Sequence, residues 1–192
     1  MRKAAIERKT KETQIQISVL LDGKGAAVAK TGVKFLDHML NSLATHSFVD
    51  LEVRAIGDLQ HHIVEDVALT LGSALNKALG DRAGIRRFGY SIIPMDDALA
   101  LAAVDLIRRP FASVELQIER TMLEDTPKED LEHFLPSLST ALEATLHVKV
   151  LEGRNDHHKV EAAFKAFSTA LGNAIAMDPR RSHQLPSSKG VI

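Results

Sequence analysis

The chain has 192 residues, of which 45% are apolar and 26% charged, and it contains no cysteine. That length suits one domain or two small fused halves, and the missing thiols exclude disulfides, thiolate metal sites, iron–sulfur clusters and a cysteine nucleophile. With 24 basic against 25 acidic side chains, a charge of -1, nothing points to nucleic acid or an acidic membrane.

The N-terminal segment lacks the apolar stretch of a signal peptide, and no apolar run approaches the ~18 residues of a membrane span, so the cytoplasm is the expected location. Alternation of Ile15, Ile17 and Val19 with polar residues predicts a strand over Glu12–Leu21. A turn at Asp22–Gly25 precedes a short strand over Ala26–Val33. Phe35, Leu36, Met39, Leu40 and Leu43 fall at helical spacing and predict a helix over Phe35–His46. Leu51–Ile56 reads as a strand. His61–Leu79 reads as a helix with an apolar stripe, ended by Gly80-Asp81. Strands over Tyr90–Ile93 and Ala98–Ile107 flank a turn or bulge at Pro94–Asp97, and Ala112–Ile118 alternates as another strand. Glu124–Asp130 reads as a charged loop, Glu132–Leu146 as a helix, Val148–Leu151 as a strand and His157–Met177 as a long helix. Loop follows from Asp178.

This order is a repeat. His38-Met-Leu-x-Ser-Leu matches His133-Phe-Leu-x-Ser-Leu, and a glycine four residues ahead precedes both His61-His62-x-x-Glu65 and His157-His158-x-x-Glu161. Each of these helices also carries Leu-Gly-x-Ala, over Leu71–Ala74 and Leu171–Ala174. The expected fold is α/β, an α+β sandwich made by internal duplication of two ββαβα halves, with helices on one face of each sheet. Residues 1–192 form a single catalytic domain in this reading, its repeats spanning about 1–83 and 84–192.

In each His-His-x-x-Glu the first histidine and the glutamate stand four apart, on one face of a helix, where imidazole and carboxylate can grip one divalent ion. The second histidine points about 100° away and can reach only a neighbouring ion. The expected sets are His61, Glu65, His38 and His158 on one ion, and His157, Glu161, His133 and His62 on the other. Nitrogen and carboxylate ligands without sulfur suit manganese, iron, cobalt or zinc. Asp66 and Asn155 are candidate orienters of the ligands. His147, in a strand, reads as a half-buried structural residue, and His183, in the tail, as exposed.

Arginines in Gly84-Ile-Arg-Arg-Phe-Gly89 and Arg108-Arg109-Pro110, with Ser187-Ser188-Lys189-Gly190, offer fork-like and point-charge donors for a phosphate. Neither a P-loop nor a dinucleotide fingerprint is present.

Together these residues resemble one family, imidazoleglycerol-phosphate dehydratase of histidine biosynthesis. The resemblance runs from Glu7 to the C-terminus and includes Thr31-Gly-Val-x-Phe-Leu-Asp-His-Met-Leu40, His61-His-x-Val-Glu-Asp66, Pro94-Met-Asp-x-Ala-Leu-Ala100, Gly153-Arg-Asn-x-His-His-x-x-Glu-Ala-x-Phe-Lys165 and Pro186-Ser-Ser-Lys-Gly190. It implies a ribosomal-S5-domain-2-like pair of halves, two Mn(2+) per active site, and a large homo-oligomer, a 24-mer, with active sites between subunits. It implies ligand roles for His38, His61, His62, Glu65, His133, His157, His158 and Glu161, and substrate contacts for Glu12, His38, His46, Arg87, Arg109, Ser187, Ser188 and Lys189.

The implied reaction removes water from imidazole glycerol phosphate to give imidazole acetol phosphate. Glu12 is the first candidate for the base, with a ligand glutamate, Glu65 or Glu161, as the alternative. The chain departs from the family in a shorter approach to His61, in Lys34 at a usual glycine, and in Arg108 where a glycine precedes the arginine. Competing readings are a non-catalytic metal-binding protein, a metallohydrolase acting on a phosphorylated small molecule, and an RNA-binding module.

Overall fold

Strand β2, Thr13–Leu20, buries Ile15, Ile17 and Val19 on one face, as period-two alternation requires. It pairs antiparallel with β1, Lys3–Lys9, and with β4, Asp50–Gly57. β3, Ala27–Lys30, lies parallel to β4 and is joined to it through helix α1, Lys34–Ser47. The first sheet has the order β1-β2-β4-β3, and helix α2, Gln60–Leu79, completes this half. The computed structural model describes residues 1–181 and 184–192. His183, expected to be exposed, lies outside the described residues.

The second half repeats the plan. Strands β5, Phe88–Met95, β6, Ala98–Asp105, and β7, Phe111–Glu115, precede a small hairpin of β8, Met122–Leu123, and β9, Thr126–Pro127. Helix α3, Lys128–Leu142, strand β10, Thr145–Glu152, and helix α4, Asp156–Ile175, follow. The sheet order β5-β6-β10-β7 mirrors the first, again with one parallel crossover, β7–α3–β10. The fold is thus a duplicated α+β arrangement, in which each half gives its four-stranded sheet three strands before its first helix. The extra strand in the first half is β1. Only Ala4 and Ile6 of that strand pack against the core, which leaves too little alternation for it to be seen in the sequence.

Several boundaries differ from expectation for local reasons. Pro94 lies within β5, at the sheet edge where a missing N–H is tolerated, and the turn is confined to Asp96-Asp97, with Asp96 at φ 48°. Helix α3 starts and ends four residues earlier than expected. Glu143 adopts a left-handed conformation, φ 55°, and ends the helix, so Thr145 and Leu146 join β10. Arg82, fully buried, donates to the carbonyls of Leu142 at 2.7 Å and Glu143 at 3.0 Å, meeting the open carbonyls of that helix end. Burial pushes its guanidinium down to about 10.

The helices lie between the sheets: α1 packs on α4, and α2 on α3. The repeated glycine of Leu-Gly-x-Ala sits at each crossing. A Cβ on Gly72 would lie 2.5 Å from the Leu138 carbonyl of α3, and one on Gly172 would lie 2.9 Å from the Ser47 carbonyl of α1. Glycine is needed there for close backbone approach. The Gly72→Ala protein should therefore lose about 3 kcal/mol in denaturant unfolding, the upper range for overpacking a rigid contact. A loss below about 0.5 kcal/mol would contradict this account of the α2–α3 contact.

Candidate metal centre

All four histidines of the two His-His-x-x-Glu segments lie in first turns, His61 and His62 in α2, His157 and His158 in α4. Asn155 caps α4 by accepting from the His157 backbone N–H at 2.9 Å. Asp125, at the hairpin tip, caps α1 remotely: its carboxylate accepts from the Lys34 N–H at 2.7 Å and the Phe35 N–H at 3.1 Å. The carbonyl of Asp125 also accepts from the Gln60 side chain at 2.6 Å, which links the hairpin to the start of α2.

At the α1–α4 contact, His157 Nε2 is 3.5 Å and His38 Nε2 is 3.7 Å from Glu161 Oε2. One ligand atom from each of these residues lies within 4.8 Å of the others, a size that one divalent ion fills. Burial pushes the Glu161 carboxyl upward, but Lys165, whose Nζ is 2.9 Å from Oε1, together with His38 and His157, holds it below its ordinary value. At the α2–α3 contact, His133 Nε2 is 3.2 Å from Glu65 Oε1, and the His61 and His133 rings stack with centroids 6.2 Å apart. This second group is looser than the first.

These groupings correct the expected sets. The structure joins His38 to His157 and Glu161, and His133 to His61 and Glu65, because α1 packs on α4 and α2 on α3. The expected pairing of His38 with His61, and of His133 with His157, would need each half to pack its own two helices together at the site. Nor do the second histidines cross over within the chain. His62 Nδ1 faces Asp58 at 2.8 Å and Glu12 at 3.9 Å, and His158 Nδ1 faces Asp97 at 2.6 Å.

A shared feature emerges. Each of the four first-turn histidines has a carboxylate beside Nδ1: Asp130 at 2.6 Å from His61, Asp58 from His62, Glu124 at 3.1 Å from His157, and Asp97 from His158. A carboxylate only accepts, so it selects the tautomer with the proton on Nδ1 and leaves Nε2 free as a ligand. The hydrogen bond to Asp130 raises His61 above its ordinary 6.5, and that to Asp58 raises His62. The expected orienter Asp66 does something else: it accepts from Arg8 Nε at 3.0 Å and from the Thr13 hydroxyl, tying α2 to β1 and β2. Asp130 and Glu124 had no signal in the sequence, because their partners lie 69 and 33 residues away.

His46 is half-buried in the last turn of α1, and burial, then the Lys165 charge, lowers its pKa. His147 is exposed on β10 rather than half-buried, with its ring 5.5 Å from that of Phe111. Arg87, Arg109, Ser187, Ser188 and Lys189 do come together, lining an open cavity of about 370 Å³. Arg87 is largely committed within it. Its Nε and Nη2 donate to Asp105 at 2.7 and 3.1 Å, and its Nη1 donates to the Pro186 carbonyl at 2.8 Å, which pins the tail in place. The backbone N–H of Arg87 donates to the Ala174 carbonyl, so this cavity lies by the C-terminal end of α4. His157 is at the other end, about 26 Å away at 1.5 Å per residue.

A family model described as imidazoleglycerol-phosphate dehydratase matches residues 31–171. A protein of that name from Microcystis aeruginosa is 46% identical over 194 residues, covering 100% of this chain and 93% of the relative. Another, from Dehalococcoides mccartyi, is 48% identical over 191 residues, covering 100% and 97%. Among solved structures, imidazoleglycerol-phosphate dehydratase from Staphylococcus aureus superposes with a TM-score of 0.84 at 34% identity, over 92% of this chain and 99% of that one. The Pyrococcus furiosus structure, in complex with (S)-C348, gives 0.83 at 38% identity, over 97% and 100%.

The donor set predicts a pH dependence for metal binding. An ion needs a bare Nε2, and His61 and His62 keep their protons to a pH above the ordinary 6.5. Affinity for a divalent ion, measured by calorimetric titration, should therefore fall roughly tenfold or more from about pH 8 to about pH 6. Unchanged affinity across that range would contradict a histidine-built site.

Proposed function

The chain belongs to the imidazoleglycerol-phosphate dehydratase family, hydro-lyases of histidine biosynthesis, and from that membership we propose a dimanganese-assisted dehydration of imidazole glycerol phosphate. The single observation that carries the metal reading is the group of His38, His157 and Glu161, whose donor atoms lie within one ion's reach. In this reading the ligands are His38, His157 and Glu161 for one ion and His61, Glu65 and His133 for the other, with His62 and His158 completing the sets. Manganese held by these residues would supply Lewis-acid charge that favours the deprotonated form of the substrate's imidazole ring.

The chain's own residues do the rest. The carboxylates at Nδ1 keep each histidine turned to present Nε2. Glu12, with Oε2 near His62, takes a proton from the substrate carbon chain. Arg109, Ser187, Ser188 and Lys189 hold the phosphate, while Arg87 holds the tail that carries three of them.

A three-carbon chain between ring and phosphate cannot span the length of α4. The metal group at one end of that helix and the basic cavity at the other are thus too far apart to hold the same substrate molecule in one chain. The active site of this reading is therefore completed between subunits, the basic cavity of one facing the metal ligands of another. Two features support a homo-oligomer such as the family's 24-mer: His62 and His158 point away from their own chain's groups, and Phe88, Tyr90 and Ile92 are exposed along β5. Among the described residues no helix is long and apolar enough to cross a membrane, which is compatible with a cytoplasmic place for the enzyme.

The test is an assay of the manganese-loaded protein on imidazole glycerol phosphate. The expected outcome is stoichiometric formation of the ketone imidazole acetol phosphate without inorganic phosphate. Release of phosphate would point instead to a metallohydrolase, and saturable metal uptake without turnover to a binding protein.

A further inference from the structure

We propose that Asp130 is a positioning residue for the α2–α3 metal group, holding the His61 ring so that Nε2 faces the ion. This rests on the metal reading above. Asp130 lies in the first turn of α3, 2% exposed, with Oδ1 2.6 Å from His61 Nδ1. Its second oxygen, Oδ2, is buried and has no hydrogen-bonding partner among the described residues. Burying a carboxylate is unfavourable unless both oxygens are satisfied, and the positive end of α3 offsets only part of that. A side chain chosen for fold stability alone at this position would be apolar.

The duplication itself shows the alternative. Aligning His133 with His38 places Asp130 opposite Phe35, since each stands three residues before its histidine. Phe35 is a buried core residue, and its ring packs on His157 with centroids 5.1 Å apart. The same position thus supports the first histidine of each segment, by an apolar ring in one half and by a buried carboxylate in the other. The remaining Nδ1 partners are Asp58, Glu124 and Asp97, whose side chains are 54%, 55% and 38% exposed. Asp130 alone among the four is buried, so its geometry is fixed by packing and does not depend on a mobile surface side chain.

The consequence is a split between stability and metal affinity. Asp130→Leu removes the buried, half-satisfied charge and releases the His61 ring. The metal-free protein should melt at the wild-type temperature or higher, while manganese affinity at one of the two sites falls by about 10- to 100-fold. Calorimetric titration in a His38→Ala background, which disables the α1–α4 group, isolates the affected ion. Asp130→Asn, which keeps an acceptor but not the charge, should fall between Leu and wild type. Its metal-free ¹⁵N spectrum should show the His61 ring losing its preference for the Nδ1–H tautomer. A purely structural role predicts the reverse: a lower melting temperature or failure to fold for Asp130→Leu, with both ions at wild-type affinity in Asp130→Asn. That pattern, or wild-type affinity in Asp130→Leu, would overturn the proposal. A wild-type protein that binds no manganese would instead overturn the metal reading on which it stands.

Discussion

The crossing of α1 over α4 and of α2 over α3 decides which side chains can share an ion. Each crossing depends on a glycine, Gly172 or Gly72, that lets two helix backbones approach where a methyl group would collide with a carbonyl oxygen. With the helices set at that separation, His38 reaches Glu161 and His157, and His133 reaches Glu65. The four-residue spacing within α2 and α4 puts a histidine and a carboxylate on one face. The crossing brings up a third candidate ligand from the other half of the duplication. The sheets contribute indirectly, by burying one face of every helix and so fixing the helix axes.

Around this frame the polar side chains divide into two jobs. One group faces the candidate ligands: Asp58, Asp97, Glu124 and Asp130 each stand beside an Nδ1. The other group ties segments together: Asp125 joins the hairpin to α1, Asp66 joins α2 to the first two strands, and Lys159, buried beside Asp156, anchors the start of α4 to the loop at Gln117. The duplication is not a copy in these details. Lys159 stands where the first segment has Ile63, and Asp130 stands where the first half has Phe35. In the proposed two-metal centre, such halves need not hold the two ions alike.

Much of this was legible in the sequence. Ile15, Ile17 and Val19 announced β2, the two His-His-x-x-Glu segments announced a histidine and a glutamate on one face of each helix, and the matched upstream histidines announced the repeat. What failed was the pairing between halves. His38 and His61 are neighbours in the repeat unit, and their spacing suggested a shared ion. Which helix packs on which is a property of the assembled layers, and it sent His38 to the other half. The orienting carboxylates were hidden for a similar reason, since Glu124 and Asp130 act on histidines far along the chain. Pro94 misled in the opposite way: it reads as a turn residue, but the edge of a sheet accepts it. The five residues proposed for phosphate binding were found by residue type, and their shared cavity follows from Arg87 gripping both Asp105 and the carbonyl of Pro186.

The positions of bound metal ions decide between the two pairings of the histidines. Crystals grown with manganese and measured at its absorption edge would give an anomalous difference map that locates every ion directly. Two peaks per chain are predicted, one among His38, His157 and Glu161 and one among His61, Glu65 and His133, each reached by His62 or His158 of a neighbouring subunit. A single peak, or a peak joining His38 to His61 and Glu65, would contradict that arrangement.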